Sequence, residues 1–414
     1  MLIIHGKIKT MAGQDFPDGF VQIAAGKIVA VGSMEDCPAA EEKGCLDAAG
    51  ECGKTEESVL DVQGAWVMPG IVEAHCHMGI TEEKKGMEGD DCNETVDPIT
   101  PQLRAIDAIN PMDAAFNDAL AAGITSAMVG PGSANVVGGQ FAFIKTHGRC
   151  IDRMIVKAPA AMKIAFGENP KVNYSGQGKS PSTRMAIAAM LREELTKAKE
   201  YQERREKDKE DAADFRYECW LPVLKGEIPL KAHVHRADDI LTAVRIAKEF
   251  GLRMTLDHCS EGHLILDELK EAGFPAIVGP DMASRNKIEV QNMAFKTAGL
   301  LSEKGILTAI TTDHPVSKIQ FLPICAGLAV KSGMDPEEGL RAITINAAAI
   351  CGVEERLGSL VPGKDADIAV FTGNPMEVFT ETLYTLINGK IVYRKDEKCA
   401  TMNLCKKTSY GKKQ

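Results

Sequence analysis

Hydrophobic and polar positions alternate with two different rhythms along this chain. Near both ends the apolar runs are short and cut by turns. They are LIIHGKI (2–8), FVQIAAGKIVAVG (20–32) and VLDVQGAWVMPG (59–70), then DIAVFTG (367–373) and YTLINGKIVYR (384–394). Such runs predict strands, and Asn388-Gly389 predicts a hairpin turn. The likeness of LIIHGKI to LINGKIV suggests that the two ends pair into one small β-module. Residues from about 34 to 57 are polar and predict a loop or hairpin tip. The lysine-rich tail after Arg394 predicts a frayed end.

From residue 70 to about 355 the rhythm changes. Apolar strand candidates fall at 71–77, 124–130, 154–166, 230–235, 252–258, 275–279 and 306–312. Amphipathic helical patterns such as ADDILTAVRIAKEFG (237–251) and SEGHLILDELKEAG (260–273) lie between them. Strands alternating with helices predict βα units and a parallel sheet. The span suits a (β/α)8 TIM barrel, which takes ~250 residues. The expected organisation is a barrel over 70–355 and a composite β-sandwich domain from 1–69 and 356–414. A doubly wound sheet fits the same rhythm, but no GxGxxG or GxxxxGK[ST] supports it. The densely charged stretch 191–214 predicts a solvated helix projecting from the barrel.

Composition narrows the class. The chain has 414 residues, 44% hydrophobic and 26% charged, as soluble globular proteins do. A net charge of −10 argues against nucleic-acid and anionic-membrane partners, which need a basic surface. The opening MLIIHGKIKTM is too short in apolar residues for a signal peptide, and no run is long enough to span a bilayer. The 12 cysteines form no CxxC pair, and several sit in apolar runs, which predicts reduced thiols in the cytoplasm. The expectation is a cytoplasmic enzyme, homo-oligomeric, with a small-molecule substrate.

Histidines and carboxylates collect where strands end. IVEAHCHMGI places His75 and His77 on one face of a strand, so that both imidazoles can reach one metal ion. KAHVHRADD ends a strand at His233 and His235, LRMTLDHC at His258, and ILTAITTDHP at Asp313 and His314. One such histidine is readily structural. Four strands ending this way in a barrel converge on one rim, because the C-terminal strand ends form the active site of that fold. That convergence predicts a shared metal site.

PGIVEAHCH, the histidines at 233 and 258, TTDHP and TINAAAICGVEERLGSLVPGKDADIAVF together resemble the amidohydrolase superfamily of metal-dependent hydrolases. Within it the chain resembles an imidazolonepropionase-related branch with GENPK and GPGSANVVGGQ segments. The resemblance covers essentially the whole chain and implies the barrel with a β-sandwich from both termini. It implies one or two divalent ions, Zn²⁺ with Mn²⁺ or Fe²⁺ as alternatives. His75 and His77 would hold the first ion, His233 and His258 the second. Asp313 would touch the first ion and act as base for the attacking water. A bridging carboxylate is expected at Glu168, with carboxylated Lys163 as the other candidate.

Such ions lower the pKa of bound water from ~15.7 to about 7, so hydroxide can attack an amide-like carbon. His235 is a candidate to orient substrate, and Gln140 closes a glycine-rich loop expected to line the pocket. Where cytosine-deaminase-like and imidazolonepropionase members carry His-x-x-Glu, the position three after His233 is Arg236. That residue either faces an anionic substrate group or pairs with Asp238 or Asp239. The function expected is hydrolysis of a C–N bond in an amide, cyclic amide or N-acyl or dipeptide-like substrate. A heterocycle deaminase and a metal-free scaffold are the alternatives.

Overall fold

The computed structural model describes residues 1–38, 59–83, 86–208 and 212–395. Most of the expected polar tip and the whole tail from 396 onward lie outside them. The N-terminal strands are β1 (Leu2–Ile8), β2 (Phe16–Ala24), β3 (Lys27–Ser33), β4 (Val59–Asp61) and β5 (Trp66–Pro69). Eight strands follow in the middle of the chain. They are β6 (Ile71–Cys76), β7 (Ile124–Val129), β8 (Val137–Lys145), β9 (Ile155–Ala165), β10 (Leu230–Val234), β11 (Met254–His258), β12 (Ala276–Val278) and β13 (Thr308–Ile310). Three more close the chain: β14 (Ile368–Phe371), β15 (Thr382–Ile387) and β16 (Lys390–Arg394).

The two ends build one sheet in the order β16-β15-β14-β5-β1-β2-β3, with β4 beside β1. The join is β14 against β5, antiparallel, with Ile368 opposite Pro69 and Phe371 opposite Trp66. Ile28 of β3 and Leu386 of β15 belong to one apolar cluster, so the sheet curls over a shared core. Lys145 of β8 ties this sheet to the barrel, its Nζ 3.0 Å from Asp365 and 2.5 Å from Asp367.

The middle strands form the barrel sheet, β6 through β13 in sequence order. Adjacent strands are parallel except around β8, which runs antiparallel to both β7 and β9. No helix separates β7 from β8 among residues 130–136, and without a crossover helix a strand must return antiparallel. The seam between β13 and β6 is held chiefly through Glu73. It accepts from Thr311 Oγ1 (2.6 Å), Thr312 N (3.0 Å) and Thr312 Oγ1 (2.6 Å). The backbone adds His77 N–H to His314 O at 2.8 Å.

The charged helix Arg184–Lys207 departs from its expectation. One face of it buries Ile187, Leu191, Leu195 and Ala198 against the fold. Glu194 is buried too, accepting from Trp220 Nε1 (3.1 Å) and pairing with Arg216. Charge density along a sequence does not expose this i, i+4 stripe of small and apolar residues, which packs inward.

Candidate metal centre

The C-terminal ends of β6, β10, β11 and β13 bring six expected residues to one rim. His75 and His77 close β6, His233 lies on β10 with His235 just beyond it, His258 ends β11, and Asp313 follows β13. Ligand atoms of His233, His235 and His258 lie within 4.8 Å of one another, and so do those of His75, His258 and Asp313. Asp313 Oδ1 is 3.2 Å from His77 Nε2 and 3.5 Å from His75 Nε2.

Three of the imidazoles are held from behind by a hydrogen bond at Nδ1, and a fourth, His75, has a carboxylate beside it. His77 Nδ1 meets Gly130 O at 2.7 Å, and His258 Nδ1 meets Gly279 O at 2.8 Å. His235 Nδ1 meets Ser260 Oγ at 2.8 Å, and His75 Nδ1 stands 2.9 Å from Asp257 Oδ2. An N–H donated from Nδ1 leaves the Nε2 lone pair free, which is how metal-ligating histidines are oriented. Burial depresses His75, His233 and His258 well below the usual imidazole range and lowers His235 to about 4, so these rings are neutral donors. Burial also lowers His77, but Cys92 and Asp313 beside it outweigh that and raise it to about 10. Asp313 is held below the usual carboxylate range, against burial, by His258 and His77.

The backbone is strained where these groups project. His258, Cys259 and Asp313 have φ of +72°, +48° and +51°. Left-handed non-glycine residues cost about 1–3 kcal/mol each and persist where the surroundings dictate them. Among the described residues, Asp313 Oδ1 and Asp257 Oδ2 are buried beside the histidines without a hydrogen bond, and Glu289 Oε1 forms an ion pair with Lys287. The neutral imidazoles of His75, His233, His235 and His258 and the carboxylate of Asp313 suit a divalent transition ion such as Zn²⁺. The residues present therefore fit a metal.

Other sequence expectations fare differently. Glu168 is not a strand-end residue: it opens the helix Glu168–Ser175, and its backbone N–H reaches the rim, donating to Glu289 Oε2 at 2.9 Å. Gly167 before it takes φ +83°, which turns the chain away from the strand direction. Lys163 stays inside the barrel on β9, its Nζ 3.4 Å from His75 Nε2, and burial lowers it to about 8. Arg236 precedes the helix Ala237–Phe250 and pairs with Asp238 through Nε (2.9 Å) and Nη2 (3.0 Å), on the outside. Gln140 also faces away, donating to Pro101 O at 3.1 Å, because its neighbour Phe141 takes the inward position against His75.

Several groups at the site were not anticipated. Lys231 on β10 reaches Asp257, 3.2 Å from Oδ2, and Thr255 Oγ1 donates to Asp257 Oδ1 at 2.7 Å. Charged residues inside the apolar strands LKAHV and MTLDH were the available signal, since buried charges need partners. A cavity of about 390 Å³ opens above the histidines. Its walls include Cys92 and Asn93 from the long acidic loop, Ser133 from the glycine-rich loop, Asn169, and Lys287 from the segment after β12.

A model of the amidohydrolase family matches residues 66–392. A solved amidohydrolase from Thermotoga maritima MSB8 is 37% identical, with a TM-score of 0.87 over 95% of this chain and 100% of its own. Amidohydrolase tasK of Hapsidospora irregularis is 29% identical over 370 residues, 80% of this chain and 37% of its own. An imidazolonepropionase of Fusobacterium nucleatum subsp. nucleatum is 29% identical over 191 residues, 41% of this chain and 42% of its own. The chain thus spans well under two thirds of the length of these two curated relatives. With the family's match running from the strand before the barrel to the last strand of the terminal sheet, this chain belongs to the amidohydrolase family.

Proposed function

We propose that this protein is a metal-dependent hydrolase of a carbon–nitrogen bond in a small polar amide-like molecule. The observation that carries the reading is the convergence of His75, His77, His233, His258 and Asp313 on one rim, with the His77 and His258 rings held at Nδ1 by backbone carbonyls. His75, His77 and Asp313 would hold an inner ion, and His233 and His258 an outer one. Bound there, the metal supplies hydroxide at neutral pH and polarises the scissile carbon.

The remaining work belongs to the chain's own groups. Asp313, held below its ordinary range, is the base that takes a proton from water and returns it to the leaving nitrogen. Lys163, the other candidate for the bridge expected at Glu168, has its Nζ beside His75 Nε2 and would stand next to the inner ion. The cavity has the volume of a small-molecule site, and Asn93, Ser133, Asn169 and Lys287 offer it hydrogen-bond donors. A substrate with amide and carboxylate oxygens suits that wall. Arg236, turned outward onto Asp238, takes no part, so its position lends no support to a proton-shuttling residue of the deaminase type.

The test is metal analysis followed by a substrate panel. Purified protein should hold one to two equivalents of a divalent transition metal, and the loaded protein should cleave a member of a panel of dipeptides, N-acyl amino acids and cyclic amides. Ammonia release from heterocycles in place of that cleavage identifies a deaminase. Less than a tenth of an equivalent of metal, with none recovered on adding Zn²⁺, overturns the reading.

A further inference from the structure

Glu289 is a buried carboxylate that the site just described does not use. It lies in the segment after β12, 2% exposed, and both of its oxygens face the rim. Oε2 is locked in place, accepting the Glu168 N–H at 2.9 Å. It sits where a Cβ on residue 167 would come within 2.7 Å, so only glycine leaves room for it. That anchor aims Oε1 across the cavity at two histidines. Oε1 is 3.9 Å from His233 Nε2 and 3.9 Å from His235 Nε2, and among the described residues its one ion-pair partner besides these rings is Lys287.

We propose that Glu289 and His235 join His233 and His258 as ligands of the outer metal ion, so that this ion needs no bridging group from β9. The inference rests on the metal-dependent reading above and adds to it an outer site complete in itself. Neutral imidazole nitrogens and a carboxylate oxygen repel when they face one another bare, and a cation between them turns that repulsion into ligation. Bond lengths of 2.0–2.2 Å to zinc separate tetrahedral ligands by about 3.3–3.6 Å, close to the 3.9 Å of the two Glu289 contacts, and the three histidines would draw in around the ion from a spread of up to 4.8 Å. His235 Nδ1 is engaged by Ser260, so its Nε2 is the atom presented. The His233, His235 and His258 ligand atoms already lie within 4.8 Å of one another.

Two neighbours compete for these atoms. Lys287 Nζ forms an ion pair with Glu289 Oε1 at 2.5 Å and donates to Asn169 Oδ1 at 3.0 Å. Asn169 Nδ2 rests 3.4 Å from His233 Nε2, a long contact. Lys287 is partly exposed and can swing out when an ion arrives, whereas the anchored carboxylate cannot. The lysine therefore acts as a removable counter-charge that weakens the outer site.

The experiment compares metal stoichiometry and affinity by elemental analysis and Zn²⁺ titration, with and without bicarbonate, for the wild type and three variants. Wild type should take two equivalents without bicarbonate. Glu289→Gln, nearly isosteric, should retain one equivalent, the outer Kd rising at least tenfold. Lys287→Met should move the outer Kd the opposite way, severalfold tighter. Lys163→Ala should keep the outer ion. A structural Glu289–Lys287 pair predicts instead that Lys287→Met destabilises the fold and leaves the outer Kd unchanged or weaker, which overturns the proposal. Two equivalents in Glu289→Gln overturn it, as does an outer ion lost in Lys163→Ala and gained by stripped wild type only with bicarbonate. Wild type that binds no metal at all refutes the metal-dependent reading itself.

Discussion

Replacing Asp257 by Asn tests how the inner site is held. Asp257 is fully buried, 2.9 Å from His75 Nδ1 and 3.2 Å from Lys231 Nζ, and Thr255 donates to its other oxygen. Two separable losses follow. Leaving the buried ammonium of Lys231 without its carboxylate costs about 3–5 kcal/mol of stability. Weakening the partner that orients His75 costs about 10–100-fold in metal affinity, or about 1.4–2.8 kcal/mol. The first term is a matter of charge and the second of orientation, so a second substitution splits them. In Lys231→Met/Asp257→Asn no unpaired charge remains, and most of the lost stability should return while the metal affinity stays low. Metal-stripped protein unfolded in urea, followed through the buried Trp220 in the barrel region, reads the first term. Zn²⁺ titration of folded protein reads the second. If the double variant regains wild-type metal affinity, the effect on His75 passed only through the fold and the orienting role is wrong.

Asp313→Asn should abolish turnover with the fold and most of the metal retained, checked by kcat and elemental analysis; near wild-type turnover rules Asp313 out as base. Arg236→Ala should leave kcat/KM within about twofold and stability within about 0.5 kcal/mol, since its partner is a partly exposed Asp238. Metal-free protein should lose stability as pH falls below 6.5. His75, His233, His235 and His258 are all depressed in the fold, so the unfolded chain binds more protons there. Each fully coupled histidine contributes up to about 1.4 kcal/mol per pH unit, while the raised His77 adds stability only as pH falls from about 10 to 6.5 and no further slope below that. Urea midpoints between pH 7.5 and 5 check the sign, and a flat profile refutes it.

What the sequence determines here is local. Strand-ending histidines are legible because a parallel barrel puts every C-terminal strand end on one rim, whatever the loops between them do. His75, His77, His233, His258 and Asp313 could therefore be placed together without coordinates. The pairing of the chain's two ends was legible for a similar reason: short alternating runs that cannot bury a face alone must find each other. Tertiary structure decided everything that depends on direction and on distant partners. Glu168 and Lys163 lie five positions apart in one segment, yet the left-handed turn at Gly167 keeps the lysine in the barrel and sends the glutamate off with a helix. Arg236 and Gln140 lie next to inward residues, and strand alternation or a helix cap turned both outward. Glu289 reaches the histidines from a loop with no periodicity, held by one backbone N–H and the space that a missing Cβ leaves. No local pattern encodes such a contact, because the free energy that selects it comes from burial and charge brought together by the closed barrel.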